Sequence, residues 1–198
     1  LVSDSSGNNN NGSISGAIWQ ASGKYGAALT FDGINDLVTV NDANSLDLTN
    51  GMTLEAWVNP TNSTSYRTVI LKERSTTRLS YAIYGNTKIN RPSGQIASST
   101  GGTVNGSSQL PLNTWTHLAV TYNGTSLKLF VNGIETASTA TTGNITTSTT
   151  PLRVGGNNVW GEYFAGLIDE VRVYNRALTQ TEIQTDMNTP IAPTAPDL

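Results

Sequence analysis

Aromatic side chains in polar loops are the first group of residues whose chemistry indicates a ligand. Trp160 and Tyr163 lie in the segment GGNNVWGEYF, among amide and carboxyl side chains. Flat aromatic faces beside amide donors suit a sugar, which stacks through its ring and forms hydrogen bonds through its hydroxyl groups. The predicted carbohydrate-binding residues are Trp160, Tyr163, Asn157, Asn158, Tyr66 and Arg67. The alternative is structural, with Trp160 or Phe164 folded back as a lid on the core.

Acidic and amide side chains form the second group, and their chemistry suits a hard cation. Calcium takes roughly six to eight oxygen ligands from carboxylates, amides and carbonyls in flexible loops. The candidate ligands are Asp4, Asn8, Asp32, Asp36 and Asp169. The alternative is that Asp4 and Asp36 only close Asx-turns, in which a side chain accepts a nearby backbone N–H group.

The sequence offers little for catalysis. Glycoside hydrolysis generally needs a pair of carboxylates that flank the scissile bond, and the E-x-D-x-x-E spacing, which can place such a pair on one strand, does not occur. His117 is the single histidine, and its neighbours in WTHLAVTY indicate a satisfied structural residue rather than a base. We therefore expect no enzyme, and a polysaccharide-degrading activity is the least favoured alternative.

Composition and charge limit the classes of partner that the protein could bind. The 198 residues carry a formal charge of -3 and no cluster of basic residues, which argues against nucleic acid. No apolar run is long enough for a membrane span. A surface rich in Thr, Asn and Ser and poor in Lys is typical of secreted or cell-surface modules of bacteria or archaea.

Alternating apolar residues predict many short strands. The segment FAGLIDEVRVYNRA near the C-terminus gives the organising strand, with Val171 and Val173 facing the core between two sheets. Ile168 would face the wrong side unless a bulge at Asp169 and Glu170 corrects the phase and turns a carboxylate toward the sheet edge. A plain strand with solvated carboxylates is the alternative.

Residues 28–40 predict two strands around a tight loop, and residues 115–131 predict a hairpin.

Residues 178–187 are the one good helical segment, with Thr179 as N-cap and Glu182 completing a capping box. The strands and turns predict an all-β, antiparallel sandwich with one short C-terminal helix. We expect one domain over residues 1–188. Residues 189–198 are Pro-rich and are expected to form a linker to a further domain.

Four segments, in order along the chain, resemble the laminin-G-like jelly-roll domain of the concanavalin A-like lectin/glucanase superfamily. They are GKYGAALTFDGINDLVTV, MTLEAWVNP, WTHLAVTYNG and FAGLIDEVRVYNRALTQTEI, and the loop DSSGNNNNG resembles that family's N-terminal loop. The resemblance covers about residues 4–187. It implies a two-sheet jelly-roll sandwich, a structural Ca²⁺ at the rim of the sandwich, where Asp169 would meet the loop of Asp4, and a binding module of a secreted multidomain protein.

The family pattern begins with an apolar strand ahead of the DSSG loop, which this sequence does not show. That strand would pair near residues 164–174, so we expect an open sheet edge there and the loss of part of a cation site. The resulting expectation is a non-catalytic, carbohydrate-binding module with a structural calcium ion. The alternative is a protein-binding adhesion or spacer module of a cell-surface protein.

Overall fold

The computed structural model describes residues 1–192, so residues 193–198 of the predicted linker lie outside the described part. In chain order the strands are β1 (Gly12–Ser15), β2 (Ile18–Gln20), β3 (Ala28–Asp32), β4 (Leu37–Val40), β5 (Met52–Pro60), β6 (Arg67–Ser75), β7 (Arg78–Asn86), β8 (Ser93–Ile96), β9 (Gly102–Asn105), β10 (Thr116–Tyr122), β11 (Ser126–Val131), β12 (Ile134–Ala140), β13 (Leu152–Val154) and β14 (Ala165–Tyr174). One α-helix, α1 (Gln180–Met187), follows the last strand, and a short 3-10 helix spans Asn44–Leu46.

The strands form two antiparallel sheets, which confirms the predicted all-β jelly-roll sandwich. The first sheet has the order β1-β4-β13-β6-β7-β8-β9, and the second has the order β12-β11-β10-β5-β14-β3-β2. Strands adjacent in sequence often lie in different sheets, so the chain repeatedly crosses between the two layers. β14 lies inside the second sheet, between β5 and β3.

Two local predictions are confirmed by their turn and cap chemistry. β10 and β11 form the predicted hairpin, where Gly124 has a φ of +90° and Asn123 Oδ1 accepts the Ser126 N–H at 2.9 Å. Helix α1 begins after Thr179, whose hydroxyl accepts the Glu182 N–H in a complete capping box. Side-chain acceptors thus satisfy backbone donors that the turn and the helix end leave free.

Residues 28–40 form the two predicted strands around a tight loop, but these strands do not pair with each other. β3 and β4 are both present, but β3 pairs with β14 in the second sheet and β4 pairs with β13 in the first. The turn of Asp32 and Gly33 therefore carries the chain from one sheet to the other rather than closing a hairpin. Turn residues predict the reversal of the chain, but they do not determine which strands pair.

The core lies between the two sheets and follows the period-two pattern of the strands. Leu54, Ala56 and Val58 of β5 are fully buried and meet side chains from the first sheet, such as Val69 and Ile83. Alternate residues of a strand share one face, so every second side chain of β5 enters this core. The remaining positions point to the outer faces, where the polar groups described below are found.

The bulge predicted in β14 is confirmed. The register with β5 runs regularly from Gly166 to Asp169, then shifts before Arg172, and Glu170 has a φ of +52°. Ile168 belongs to the core cluster, and Val171 and Val173 pack against it from the same side. The bulge therefore accommodates the extra residue and keeps the apolar side chains on either side of it facing the core.

The second half of β14 forms an open edge. β3 pairs with β14 only as far as Ile168, and within residues 1–192 no strand adds to that side of residues 170–174. A cavity of about 530 Å³ lies between the sheets at this edge, lined by core side chains such as Phe31, Val171 and Val173. The open edge is where the sequence predicted one, and it leaves Val171 only partly buried.

Helix α1 covers a group of titratable side chains on the outer face of the second sheet. Glu55 and His117 are fully buried there, and neither carboxylate oxygen nor either ring nitrogen has a hydrogen-bond partner among the described residues. Asp186 of α1 accepts a hydrogen bond from the Tyr174 hydroxyl at 2.7 Å. His117 is thus structural, as predicted, but its ring nitrogens are unpaired rather than satisfied.

Candidate functional site

A tight loop over residues 157–163, between β13 and β14, carries most of the predicted sugar-binding residues. Its conformation is held by Asn157, which is fully buried. The Asn157 amide donates to Thr68 Oγ1 at 2.8 Å, and its carbonyl oxygen accepts the backbone N–H of Trp160 at 2.8 Å. Because Asn157 is buried, it positions the loop and does not reach a ligand.

Two glycines allow the loop to approach the sheets closely. Gly155 has a φ of +78°, and a Cβ atom there would come within 2.0 Å of the Phe31 ring. A Cβ atom on Gly156 would lie 2.5 Å from the ring of Tyr163. The Tyr163 ring therefore packs over the Gly156 backbone, and only glycine leaves room for it.

The structure joins the two predicted sugar-binding groups into one unit. Arg67 Nη1 donates to the carbonyl oxygen of Tyr163 at 2.8 Å, which fixes the start of β6 to the end of the loop. Arg67 also donates from Nε to the carbonyl oxygen of Thr64 at 2.9 Å. Tyr66, beside it, meets Tyr84 edge-to-face with ring centres 5.2 Å apart.

Glu162 is half-buried beside this loop, and Tyr84 is fully buried beneath Tyr66; neither was among the predicted binding residues. Glu162 Oε2 accepts from the Asn157 amide at 3.1 Å. Burial raises the pKa of Glu162, although hydrogen bonds from Asn157 and Tyr84 and the charge of Lys88 oppose the rise. Tyr84 could have been found from LSYAIY, because period two places it opposite the core-facing Tyr81 and Ile83.

An ion pair between Glu73 and Arg153 supports the loop. Glu73 Oε1 accepts the backbone N–H of Asn158 at 2.9 Å, and Arg153 Nη2 donates to Glu73 Oε2 at 3.3 Å. Glu73 is buried, and the two charges neutralise one another on the outer face of the first sheet. The loop is therefore attached to the strands through both side chains and backbone.

Two predicted residues are exposed enough to touch a ligand directly. Trp160 is 45% exposed and Asn158 is also exposed, whereas Tyr66, Arg67 and Tyr163 are half-buried. The alternative that Trp160 folds back on the core does not fit this exposure. Phe164 does enter the core and is fully buried, as expected for a lid. We call the exposed side of this unit, formed by Trp160, Asn158, Glu162 and Tyr66, the loop surface.

The other tryptophans are mainly framework. Trp57 is buried, and its indole N–H donates to the carbonyl oxygen of Met187 at 3.2 Å. Trp115 is half-buried. Trp19, which the sequence places in the framework, is 53% exposed on the edge strand β2. The pattern could not show that β2 lies at the edge of its sheet.

The N-terminal loop is held by Asp4 itself. Its carboxylate accepts the backbone N–H groups of Ser6 and Asn10 at 2.9 Å each. Burial raises the pKa of Asp4, but the hydrogen bonds from Ser6, Asn10 and Asn8 outweigh it and the net pKa is lowered. Asn8 hydrogen-bonds with Ser6 rather than facing Asp4 as a second ligand. The Asx-turn alternative therefore describes Asp4.

Asp32 and Asp36 act together in the turn after β3. Asp32 Oδ1 accepts the Ile34 N–H at 2.8 Å, and Asp36 Oδ2 accepts the Asp32 N–H at 2.8 Å. Asp36 is buried and Asp32 is exposed. Both carboxylates close this turn through backbone donors.

Asp169 accepts hydrogen bonds from the loop that precedes β3. The bulge directs its Oδ2 atom to the backbone N–H groups of Lys24 and Tyr25, at 2.8 and 3.0 Å. Its Oδ1 atom accepts the N–H of Glu170 at 2.9 Å. Asp169 and Asp4 line the same cavity, but the described structure shows no hydrogen bond that joins them. The carboxylate thus supports the loop before β3, and its expected meeting with the Asp4 loop through an ion stays a prediction.

The candidate metal ligands do not form one oxygen cage. Within residues 1–192, no group of three or more acidic or histidine side chains is arranged to hold an ion. The carboxylates of Asp4, Asp36 and Asp169 already accept backbone N–H groups in three separate places. In this arrangement the five candidates do not fit a shared Ca²⁺, and the predicted ion stays a prediction.

The described residues contain no helix with the length and apolar character needed to cross a bilayer.

Comparison with solved structures finds the same sandwich in a domain of an extracellular arabinanase and in the binding domains of bacterial toxins. Domain 4 of AbnA, a GH43 extracellular arabinanase from Geobacillus stearothermophilus solved with arabinotriose, is 25% identical, with a TM-score of 0.80 over 94% of this chain and 92% of that chain. The binding domain of Paraclostridial Mosquitocidal Protein 1 is 18% identical, with a TM-score of 0.71 over 94% and 49%. The ligand binding domain of botulinum neurotoxin serotype D, solved with N-acetylneuraminic acid, is 16% identical, with a TM-score of 0.72 over 94% and 47%. The last two likenesses concern the fold alone.

Sequence comparison gives one short match and one family. Pappalysin-1 of Mus musculus is 38% identical over 80 residues, which is 38% of this chain and 5% of that protein. The chain thus spans a small fraction of this curated relative. The family described as the concanavalin A-like lectin/glucanases superfamily, in its laminin-G-like branch, matches residues 32–184. With a matching sandwich and a match over most of its length, the chain belongs to this superfamily.

Proposed function

We propose that this domain is a non-catalytic carbohydrate-binding module, and that the loop surface is where the sugar binds. The observation that carries the proposal is the exposed Trp160 on a loop that Asn157, Glu73 and Arg67 hold in place. A rigid loop presents an aromatic face without losing much conformational entropy on binding, which favours affinity. The arabinotriose-bound domain of the extracellular arabinanase supports both a sugar ligand and a secreted, multidomain setting.

A Trp160→Ala variant is expected to keep its fold and to bind sugar at least about tenfold more weakly, which corresponds to about 1.4 kcal/mol. The loop hydrogen bond from residue 160 comes from its backbone, so the substitution preserves it. Isothermal titration with arabinotriose and affinity electrophoresis in arabinan, xylan and mannan measure the loss. Trp19→Ala is the matched control, because Trp19 is similarly exposed but lies on β2 at the far edge of the second sheet.

Thermal melting separates a binding effect from a folding effect. A fall in stability of roughly 3–5 kcal/mol in Trp160→Ala would mark the residue as part of the core. Equal binding by Trp160→Ala and the unsubstituted protein would contradict the loop surface as the sugar site.

The structural calcium ion is a separate part of the proposal and has a separate test. An ion that binds only the folded state at about 100-fold excess over its Kd adds roughly 2.7 kcal/mol of stability. If the ion is present, chelator should lower the melting temperature, and Ca²⁺ but not Mg²⁺ should restore it. An unchanged melting temperature would contradict the structural ion and leave the hydrogen bonds within the N-terminal loop, such as those of Asp4, as what holds it.

A further inference from the structure

We propose that the loop surface selects neutral sugars with adjacent free hydroxyl groups over anionic sugars, and that Glu162 is the residue that makes this selection. The inference rests on the proposed function, because it concerns the ligand of the same surface. It follows from how the charged side chains around the loop are used.

The two arginines at this surface are already occupied. Arg67 donates to the Tyr163 carbonyl oxygen, the Thr64 carbonyl oxygen and, from Nη2, the Thr64 hydroxyl at 3.2 Å. Arg153 donates to Glu73 and to the hydroxyl of Thr39. Guanidinium groups are the strongest protein partners for carboxylates, since they bind them through two parallel hydrogen bonds. Neither guanidinium here is free to do so for an acidic sugar.

Glu162 gives the surface an acceptor and a negative charge. Its Oε2 atom accepts from the buried Asn157 amide, which fixes the carboxylate beside Tyr84. An ionised carboxylate only accepts hydrogen bonds, and two adjacent hydroxyl groups can donate to it together. A sugar carboxylate brought to the same place would face a like charge in a partly buried setting, where repulsion is screened less than in water.

Lys88 is the cation that influences Glu162, and it does not reverse this preference. It lies on the exposed segment after β7 and acts on Glu162 through its charge. Because Lys88 is exposed, solvent and salt screen its charge, whereas the carboxylate of Glu162 is half-buried and held by Asn157. The aromatic side chains of Trp160 and Tyr66 supply contacts that do not depend on the charge of the sugar.

The test compares neutral and anionic probes on the protein and on matched variants. The probes are arabinotriose and arabinan on one side, and polygalacturonate and N-acetylneuraminic acid on the other. The unsubstituted protein should bind the neutral probes at least about tenfold more tightly, a difference of one decade in Kd. Glu162→Gln keeps the shape but removes the charge, so it should weaken neutral binding and reduce the preference several-fold.

Two further variants control the result. Glu162→Asp keeps the charge and should keep the sign of the preference. Glu135→Gln removes an exposed carboxylate on β12, which pairs with Lys128 at 2.8 Å, and should leave the preference unchanged. Circular dichroism checks that each variant folds.

The outcomes separate this inference from the proposed function. Tighter binding of the anionic probes, or a preference that Glu162→Gln leaves unchanged, would overturn the role of Glu162. The proposed function would still hold in that case, provided that Trp160→Ala abolishes sugar binding. If the unsubstituted protein bound none of the probes, the proposed function would be contradicted, and so would this inference.

Discussion

A Leu118→Asp variant is expected to remain unfolded at room temperature. Leu118 lies on β10 between two paired strands, and its side chain is fully buried in the core between the sheets. An aspartate there would bury an unpaired carboxylate, which costs several kcal/mol at the least. A domain has only about 5–15 kcal/mol of stability to lose.

Val171→Asp is the matched control for this substitution. From the sequence alone, Val171 would lie between two packed sheets, but the structure places it at the cavity beside the open edge of β14, where it is only partly buried. A carboxylate at this position can reach water, so we expect a folded, less stable protein. Circular dichroism and urea unfolding of both variants test the comparison. A folded Leu118→Asp beside an unfolded Val171→Asp would contradict the assignment of the core.

The second large effect is a loss of stability as the pH rises from neutral to about 8. Burial, followed by the charge of Asp186, raises the pKa of Glu55 from 4.5 to about 8, although Arg172 opposes this. The folded state therefore keeps a proton that the unfolded state releases above pH 4.5. The stabilisation is complete below pH 4.5 and is lost as the pH rises through the folded value of about 8.

His117 changes the lower part of this profile in the opposite direction. Burial, with the charge of Arg172, lowers the pKa of His117 from 6.5 to about 4, so the folded state holds fewer protons there than the unfolded state. Its contribution is present above pH 6.5 and is lost as the pH falls toward 4. Below pH 6.5, Glu55 and His117 change the free energy of unfolding with pH in opposite directions. Between pH 6.5 and 8, only Glu55 of the two changes it. Over that interval we expect a loss of about 2 kcal/mol.

Urea unfolding at a series of pH values measures this profile. Glu55→Gln stays neutral at every pH, so its stability should be almost flat between pH 6.5 and 8. Glu135→Gln, on the exposed hairpin of β11 and β12, should keep the slope of the unsubstituted protein. An equal slope in Glu55→Gln would show that another group releases the proton.

Much of the fold is visible in the sequence because it depends on local chemistry. The alternation of apolar residues identifies β5, β10 and β14, and the capping box identifies α1. Pairing is different, because the turn at Asp32 and Gly33 has hairpin chemistry while β3 and β4 lie in separate sheets. Which strands become neighbours is decided by contacts between residues far apart in the chain.

The candidate site could also be predicted from the sequence only in part. Trp160 and Tyr163 stand out as aromatics in a polar loop, and the structure joins them to Tyr66 and Arg67 through one hydrogen bond across 96 positions. The carboxylates were harder to interpret, since an Asp that closes a turn and an Asp that binds a cation have the same sequence. Only the partners of Asp169, the N–H groups of Lys24 and Tyr25, show what it does.

The bulge in β14 bears on which insertions and deletions the domain can accept. Glu170 and Val171 together lie opposite the single residue Ala56, while Asp169 and Arg172 keep regular partners on either side. A chain lacking Glu170 would pair Val171 directly with Ala56, and Ile168, Val171 and Val173 would all still face the core. The extra residue is therefore not needed for packing. What it adds is a carboxylate that binds Arg172 and the N–H of Ile191, so that one inserted residue anchors the segment leaving the helix.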